Sequence, residues 1–441
     1  MKWVFLLAIV GIVPLLAVLL RSSPRYLVPT AFLLGASMFI VAPGLWAAPV
    51  PWPGWPGYVH GIEVSFMDGV SLAIILATRP VHISRLVIFS FSVLWLAFVI
   101  STFAGLQMMP ALFYGWQLAR SALLFVAVAR LCASAPKAPI ALLAGLGVGL
   151  IYEAGLAVQQ YLGGTERPGG NLTHANFLGL ASDFVVFPAV ALMLGSRKSM
   201  GWAVVLLAGM VIAIVGGSRA TIGLIAIGTI LTVFLSIFYR RTSRKMAFAA
   251  AAAVLVAAAV PAMIWAANRR SEAQLVASDA ERRSMKLAAW MMATDYPLGV
   301  GANQYVVVAN VQGYSQRAGV AWNPGSRAAP VHNAYYLVMA EMGYLGLLGF
   351  VGTILSLILL GIRELRRRGI PGDSGELVPG LVATLIVVSV HISYEWVFMN
   401  FVPHYLFAIS AGMLVALAAR AKSTAKLTAP LQARLATSPA L

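Results

Sequence analysis

Pro330-Val-His-Asn-Ala-Tyr-Tyr336 leads directly into an apolar segment that extends from residue 334 to 362. Pro330 ends the irregular stretch before it, and the apolar segment is long enough to cross a bilayer. His332 is therefore expected at the mouth of a transmembrane helix, facing water or a cavity, although His332 or Asn333 would also suit a simple helix cap. Three glycines follow at three-residue steps: Gly343, Gly346 and Gly349. This spacing lets a second helix pack closely against the backbone.

The composition is that of a polytopic helical membrane protein. Of 441 residues, 60% are hydrophobic and 10% are charged, and the mean hydropathy is +0.87. Several apolar windows exceed the ~18 residues that a transmembrane helix needs, and helices satisfy their own backbone hydrogen bonds inside lipid. A single cysteine, Cys132, excludes a disulfide framework and a thiolate metal site.

Basic residues occur in short clusters between the apolar segments. The predicted segments are 3–20, 26–45, 59–78, 86–107, 111–132, 140–162, 176–195, 201–217, 221–239, 246–267, 334–362, 377–397 and 403–419. Alternate connections carry the clusters, at Arg21/Arg25, Arg79/Arg85, Arg130/Lys137, Arg197/Lys198, Arg240/Arg241/Arg244/Lys245, Arg363/Arg366/Arg367/Arg368 and Arg420/Lys422/Lys426. This alternation places the clusters in the cytoplasm and accounts for the net charge of +17 without a nucleic-acid partner.

The alternation predicts an all-α bundle of about 12 membrane spans (12–13) with one large periplasmic loop. Its parts are transmembrane helices over 1–267, a periplasmic catalytic loop over 268–333, transmembrane helices over 334–420 and a disordered cytoplasmic tail over 421–441. Thirteen spans would place the N-terminus outside and twelve inside, so the first or the short third segment is expected to be interfacial or re-entrant. The Trp-rich connection 46–58 is expected along the outer headgroup level.

The loop over 268–333 carries more cations than carboxylates. Arg269, Arg270, Arg282, Arg283, Lys286, Arg317 and Arg327 stand against Glu272, Asp279, Glu281 and Asp295. An external cation excess runs against the positive-inside tendency, which indicates that some of these cations bind an anion. A helix over about 278–294 would place Arg282 and Lys286 on one face. For any single charge, the alternative is a solvated helix face with internal ion pairs.

A second polar signal is Gly216-Gly-Ser-Arg-Ala-Thr221, a tight connection between two apolar segments. An arginine at the membrane edge is costly unless something pairs with it. One interpretation is an ion pair between Arg219 and a carboxylate of another helix; the candidates are Glu153, Asp183 and Glu395. The other interpretation is phosphate binding, because the guanidinium fork matches phosphate oxygens in bidentate geometry.

A third signal is the external turn that begins at Glu166-Arg-Pro-Gly-Gly170 and ends at Asn176, before the seventh apolar segment. Taken alone, Asn176 is a helix cap and the two glycines make the turn.

Together these segments resemble, in chain order, the bacterial O-antigen ligase and O-antigen polymerase superfamily. Arg167-Pro-Gly-Gly-Asn-Leu-Thr-His-Ala-Asn176 is similar to its Arg-x-x-Gly…Asn motif before a middle helix, and Gly217-Ser-Arg-Ala-Thr221 is similar to its Ser-Arg-Gly/Ala element. Arg282 stands where the family's external-loop arginine falls, upstream of Pro297-Leu-Gly-Val-Gly-Ala302. His332-Asn333, nine residues, Gly343, two residues and Gly346 complete the ligase form of the signature. Lys286 departs from the tryptophan of many relatives, and Arg283 makes the choice of arginine ambiguous.

The resemblance implies a GT-C-like membrane glycosyltransferase in the bacterial inner membrane, with its active site facing the periplasm. It would transfer a glycan from undecaprenyl pyrophosphate to the lipid A-core acceptor, with inversion and without a metal or other cofactor. The resemblance gives two sets of residues: His332, Arg219 and Arg282 as catalytic, and Arg167, Asn176, Arg283 and Asn333 as substrate-binding. Arginines can stabilise a pyrophosphate leaving group, and an imidazole with an ordinary pKa of about 6.5 suits a base for the acceptor hydroxyl.

Several alternatives remain open at this point. A polymerase would use a second polyprenyl-linked glycan as acceptor and would share the same motifs. A polyprenyl-glycan transporter would show paired repeats with interrupted helices in both halves, whereas here the polar signals gather at one face. A non-catalytic scaffold would tolerate loss of His332. His391 and Glu395, four residues apart, are a weak candidate pair of metal ligands.

Overall fold

The computed structural model describes residues 2–40, 46–172, 174–195, 200–268, 272–370 and 372–436. Several residues named above lie outside this part of the chain: Thr173, Arg197, Lys198, Arg269 and Arg270.

The described chain is built almost entirely of helices. They are α1 (Lys2–Ser22), α2 (Leu27–Ile40), α3 (Phe66–Ala77), α4 (Arg85–Ala104), α5 (Met108–Ser134), α6 (Ala138–Leu162), α7 (Ala175–Gly195), α8 (Met200–Gly216), α9 (Arg219–Tyr239), α10 (Ser243–Asn268), α11 (Glu272–Asp295), α12 (Tyr305–Val311), α13 (Tyr314–Arg317), α14 (Pro324–Arg327), α15 (Ala334–Arg367), α16 (Asp373–His391) and α17 (Phe401–Ala436). Two strands form one antiparallel hairpin, β1 (Trp46–Pro51) and β2 (Gly61–Ser65).

Among the described residues, nine helices are long and apolar enough to cross a membrane: α1, α4, α5, α6, α7, α9, α15, α16 and the first part of α17. Two shorter apolar helices are α3 and α8. The prediction of an all-α polytopic membrane protein is confirmed. Helix α7 lies at the centre of the bundle, with 94% of its apolar window buried, whereas α1 lies at the periphery with 17%.

The third predicted span is shorter than the sequence indicates. Residues 61–65 belong to β2, and α3 begins at Phe66. Its 12 residues rise by roughly 18 Å, which is less than the ~30 Å hydrocarbon core of a bilayer. The connection 46–58, expected as an irregular interfacial loop, instead begins with the paired strand β1. Strand pairing satisfies backbone N–H and C=O groups where no helix can continue through the prolines of β1.

Helix α15 is kinked at Gly343, which has φ +69° and ψ −172°. Tyr344 N donates to Pro297 O at 3.1 Å, so a backbone N–H at the kink binds the segment that follows α11. A side chain at position 343 would clash with the backbone at Pro297 and Leu298. The glycine spacing therefore serves two purposes: Gly349 lets α15 approach the backbone of α4 at Leu94, as expected, and Gly343 admits a loop.

The carboxylate of Glu341, in α15 beside this kink, organises the same loop. It accepts hydrogen bonds from the backbone N–H groups of Asn303 and Tyr305, both at 2.9 Å, and from the Tyr58 hydroxyl at 2.5 Å. Asn303 in turn accepts from Val59 N at 3.0 Å. The β-hairpin, the loop after α11 and α15 are therefore held together at one end of the bundle.

Two further expectations concern helix lengths. The predicted helix over 278–294 is present and longer, since α11 begins at Glu272 and ends at Asp295. Helix α17 continues to Ala436, so residues 421–436 are helical where the sequence predicts a disordered tail. Residues 437–441 lie outside the described chain.

The helix ends separate into two groups. At the basic end, which gathers the last residues of α9 and α15 and the first of α10 and α16, Lys245 Nζ lies 2.6 Å from Glu376 Oε2 and Arg368 donates to Phe238 O at 2.8 Å. At the opposite end, which we call the site end, Ala334 N at the start of α15 donates to Ile392 O just after α16 at 2.9 Å.

Candidate active site

His332 lies immediately before α15 and is held there by its neighbour. Asn333 Oδ1 accepts from Tyr336 N at 3.1 Å, which caps the helix, and Asn333 Nδ2 donates to Ser393 O at 2.7 Å. The same amide therefore fixes the start of α15 and attaches it to the loop after α16. In this geometry Asn333 holds the loop, and the substrate binding that the resemblance implies for it stays a prediction.

The loop after α16 presents Glu395, whose carboxylate joins three separate segments. Its Oε2 lies 3.3 Å from His332 Nδ1, and its Oε1 lies 3.3 Å from Arg282 Nη2 and accepts from Asn176 Nδ2 at 2.5 Å. The Glu395 side chain is only 4% exposed, while those of His332 and Arg282 are 27% and 31% exposed. The carboxylate is thus enclosed, and two of its three partners, His332 and Arg282, are partly exposed.

Arg167 extends this arrangement by donating from Nη2 to Asn176 Oδ1 at 2.6 Å. The Asn176 amide therefore bridges a cation and a carboxylate, which fixes its orientation. We call these five residues, Arg167, Asn176, Arg282, His332 and Glu395, the Glu395 cluster. The predicted loop over 268–333 supplies Arg282 and His332; the other three come from elsewhere in the chain.

The turn that positions Asn176 is organised by Glu153 of α6. Its carboxylate accepts from Asn171 N at 2.9 Å and from Asn171 Nδ2 at 3.0 Å. Gly170, at φ +59°, passes so close to this carboxylate that a side chain there would clash with it. The turn therefore needs glycine for both its conformation and its packing.

The electrostatic environment keeps Glu395 ionised. Burial alone would raise the pKa of its carboxyl, but the hydrogen bond to His332 and the charges of His332 and Arg282 outweigh it, so the pKa lies below its usual range. An ionised carboxylate accepts the proton of His332 Nδ1 in a hydrogen bond, which leaves Nε2 as the basic nitrogen. The pair can therefore take up a proton from an incoming hydroxyl and stabilise the resulting imidazolium.

A second histidine, His174, lies beside the cluster. Its Nδ1 accepts from Asn176 N at 3.2 Å, so in the neutral ring Nε2 carries the proton and is a donor. Burial, followed by the positive charge of Arg167, lowers the pKa of the His174 imidazole. The sequence motif contains this histidine, but no role follows from the motif alone.

Arg219 and Arg283 lie outside the cluster. Arg219 is exposed on the first turn of α9, where Ser218 caps the helix by accepting from Thr221 N. The preceding Gly216 packs near Ala175, so Arg219 belongs to the same end of the bundle as Asn176. Arg283 is exposed on α11. Neither arginine forms an ion pair among the described residues.

The carboxylates considered as partners of Arg219 have other partners. Glu153 accepts a hydrogen bond from Asn171, and Glu395 forms an ion pair with Arg282. Asp183 Oδ2 lies 2.6 Å from His391 Nδ1 in a fully buried pair. The ion-pair interpretation of Arg219 is therefore wrong for all three. His391 and Glu395 have different hydrogen-bond partners: His391 contacts Asp183, and Glu395 contacts His332.

The sequence analysis considered Glu395 only as a partner of Arg219 or of His391 and did not predict its contacts with His332, Arg282 and Asn176. A signal was present, because an isolated carboxylate at the end of an apolar segment is costly unless it is paired or functional. Its partners could not be identified from spacing, since they lie 63, 113 and 219 residues away along the chain.

The fold and the site define a class: a multi-pass helical membrane protein whose polar, cation-rich site opens at one end of the bundle. The family model described as O-antigen ligase matches residues 184–351, which include Arg219, Arg282 and His332. Over residues 184–351 the chain is thus similar to the O-antigen ligase family, which confirms the resemblance for the motifs in that range. This match supports an O-antigen ligase-like function in lipopolysaccharide synthesis. None of the curated proteins matches the chain significantly.

Proposed function

We propose that this protein transfers a glycan from undecaprenyl pyrophosphate to the lipid A-core acceptor at the periplasmic face of the inner membrane. The observation that carries the proposal is the Glu395 cluster. It joins a histidine with a free Nε2 to two arginines in one partly open site, and the residues come from both motif regions and from the loop after α16.

The acceptor hydroxyl attacks the anomeric carbon while its proton passes to His332 Nε2. Glu395, already bound to Nδ1, stabilises the imidazolium that forms. A positioned imidazole with a carboxylate behind it is the arrangement used for general-base catalysis in many unrelated enzymes. Direct attack breaks the bond between the anomeric carbon and the phosphate oxygen in one step and inverts the anomeric centre.

The arginines act on the leaving group. Arg282 binds Glu395 through one terminal nitrogen and is partly exposed, so its remaining N–H groups can reach phosphate oxygens. Arg167 lies in the same cluster, and Arg219 stands at the same end of the bundle without a carboxylate partner among the described residues. Against the single negative charge of Glu395, these three cations give a net positive site suited to pyrophosphate. Each well-placed donor contributes roughly 3 kcal/mol to transition-state stabilisation.

The testing experiment offers both acceptors to one preparation. Purified protein in detergent is given the polyprenyl-pyrophosphate glycan with lipid A-core, with a second polyprenyl-linked glycan, or with neither, in the presence and absence of EDTA. Transfer to lipid A-core that resists EDTA is the expected result. Extension of the second lipid-linked glycan instead would identify a polymerase. If folded, monodisperse protein transfers glycan to neither acceptor, the proposal is contradicted.

A further inference from the structure

Trp322 is the most exposed large hydrophobic side chain in the described part of the chain, with 83% of its surface accessible. It lies just before the short helix α14, in the segment between α13 and His332. An indole in that position loses the free energy that burial of its apolar ring would provide. Such exposure is unusual in a segment that is otherwise held by many hydrogen bonds.

The ring is exposed but not free to move. The Arg327 guanidinium carbon lies 4.4 Å from the Trp322 ring centroid, in a cation–π arrangement. The same guanidinium donates to Val320 O at 2.9 Å, to Ala321 O at 3.3 Å and to Asn310 Oδ1 at 3.4 Å. One face of the indole is therefore supported and the other is open. A rigid aromatic side chain binds a ligand at low cost in conformational entropy.

The segment that carries Trp322 is connected to the segments of the Glu395 cluster in two ways. Ala321 N, directly before Trp322, donates to Glu281 Oε2 at 3.2 Å, and Glu281 directly precedes Arg282. Toward the C-terminus, four residues separate Arg327 from His332. The platform is thus fixed to the segments that supply the catalytic arginine and the candidate base.

We propose that Trp322, supported by Arg327, is a sugar-binding platform that stacks on a pyranose ring of the glycan handled at the neighbouring site. A pyranose presents C–H groups on its face and hydroxyls around its rim. The open face of the indole suits the C–H groups, while the hydroxyls around the rim of the sugar stay accessible to polar groups of the site. This inference rests on the proposed glycan transfer and adds the place where a sugar is held.

A membrane anchor is the competing role for an exposed tryptophan. The surroundings favour the sugar. The neighbours of the ring are the Arg327 guanidinium and the polar loop that begins at Asn323, whose Oδ1 accepts from Ser326 N at 2.9 Å. An indole that partitions into the interface is accompanied by other apolar side chains, and this loop offers a cation instead.

The experiment compares Trp322→Ala and Trp322→Tyr with Trp290→Ala, a matched control in α11 that is 50% exposed. Each is assayed for transfer with the lipid-linked donor and lipid A-core varied separately, in detergent and in vesicles of phosphatidylethanolamine and phosphatidylglycerol. Binding of the free oligosaccharide, released from the donor by mild acid, is measured by calorimetry on the same preparations.

For Trp322→Ala we expect a roughly three- to tenfold rise in the KM of one glycan substrate, little change in kcat, and a matching loss of oligosaccharide affinity. Trp322→Tyr should keep a KM and an oligosaccharide affinity close to those of wild type, and Trp290→Ala should resemble wild type. A change in the donor KM places the donor glycan on the platform; a change in the lipid A-core KM, with affinity for the core oligosaccharide lost in the same way, places the acceptor there.

Two results would overturn the platform. One is unchanged KM values and unchanged oligosaccharide binding in Trp322→Ala. The other is a defect seen in vesicles alone with normal oligosaccharide binding, which would identify a membrane anchor. If wild-type protein transfers glycan to neither acceptor, the proposed function fails, but calorimetry with the oligosaccharide still decides whether Trp322 binds sugar.

Discussion

Nδ1 of His332 lies 3.3 Å from Oε2 of Glu395, across 63 residues of sequence. The carboxylate is almost fully enclosed and the imidazole is partly open. Because the enclosed partner accepts the Nδ1 proton in a hydrogen bond, the other ring nitrogen, Nε2, is the basic one. The orientation of this pair, together with the arginines around it, leads to three further predictions, and the kink at Gly343 leads to a fourth.

Loss of His332 should affect catalysis more than donor binding. His332→Ala is expected to lower transfer by roughly 10²–10⁴, the usual contribution of a general base, with donor affinity nearly intact. His174→Ala is the matched comparison, because His174 lies in the same site but its Nδ1 accepts a hydrogen bond from Asn176 N. The His174→Ala variant should keep most of the transfer rate. The checks are kcat and donor affinity measured on one preparation. Donor binding lost in His332→Ala, with a wild-type rate that rises toward acid, would show that His332 binds pyrophosphate instead.

Glu395→Gln should reduce kcat by roughly 10–100-fold, because a neutral amide no longer orients and stabilises the imidazolium. The stability profile should change as well. The pKa of Glu395 is lowered in the folded protein, so its contribution to stability is present above the unfolded carboxyl pKa of about 4.3 and is lost as pH falls through the lower folded value. The Tm of wild type should therefore fall more steeply below about pH 4 than that of Glu395→Gln. Asp279→Asn, exposed on α11, is the control and should keep the wild-type profile; identical acid profiles for Glu395→Gln and wild type would refute the assignment.

The two neighbouring arginines of α11 should behave differently. Arg282 contacts Glu395 and Arg283 is exposed, so Arg282→Lys should weaken donor binding by about tenfold while Arg283→Lys remains near wild type. Lysine is a poor replacement because it cannot make bidentate contact with phosphate. Arg219→Lys should also weaken donor binding, because the exposed guanidinium of Arg219 is one of the three cations proposed to bind pyrophosphate. Donor affinity measured by equilibrium binding compares the three variants. If Arg283→Lys lost more donor affinity than Arg282→Lys, Arg283 and not Arg282 would bind the pyrophosphate.

Gly343→Ala should destabilise the protein. The backbone conformation at Gly343 favours glycine strongly, and an added side chain would clash with the loop at Pro297. Gly352→Ala, in the same helix, would meet Ser90 at an ordinary 3.5 Å and should be neutral or slightly stabilising. Thermal unfolding in detergent tests this pair. A Tm for Gly343→Ala equal to that of Gly352→Ala would show that the docked loop contributes little.

Local sequence was sufficient to predict an all-α membrane protein of many apolar helices, although nine of the described helices, and not 12 or 13, are long and apolar enough to cross a membrane. Apolar length determines where a helix can cross a bilayer, and charge between segments determines its orientation; both are properties of contiguous residues. The same reasoning placed His332 at the start of α15 and the helix around Arg282. It did not find the β-hairpin, whose strands lie on either side of a proline-rich connection and are defined by their pairing.

The tertiary structure decided which polar residues meet. Glu395 joins Asn176, Arg282 and His332 from segments far apart in the chain, and nothing in their spacing predicts that meeting. In the structure Arg282, and not its neighbour Arg283, contacts Glu395, and Gly343 forms a kink that binds a loop where a contact between helices was expected. The physical reason is common to these cases. Periodicity and charge patterns report the surroundings of a residue along its own helix, whereas a buried carboxylate needs partners, and the packing of several helices determines which side chains can reach it.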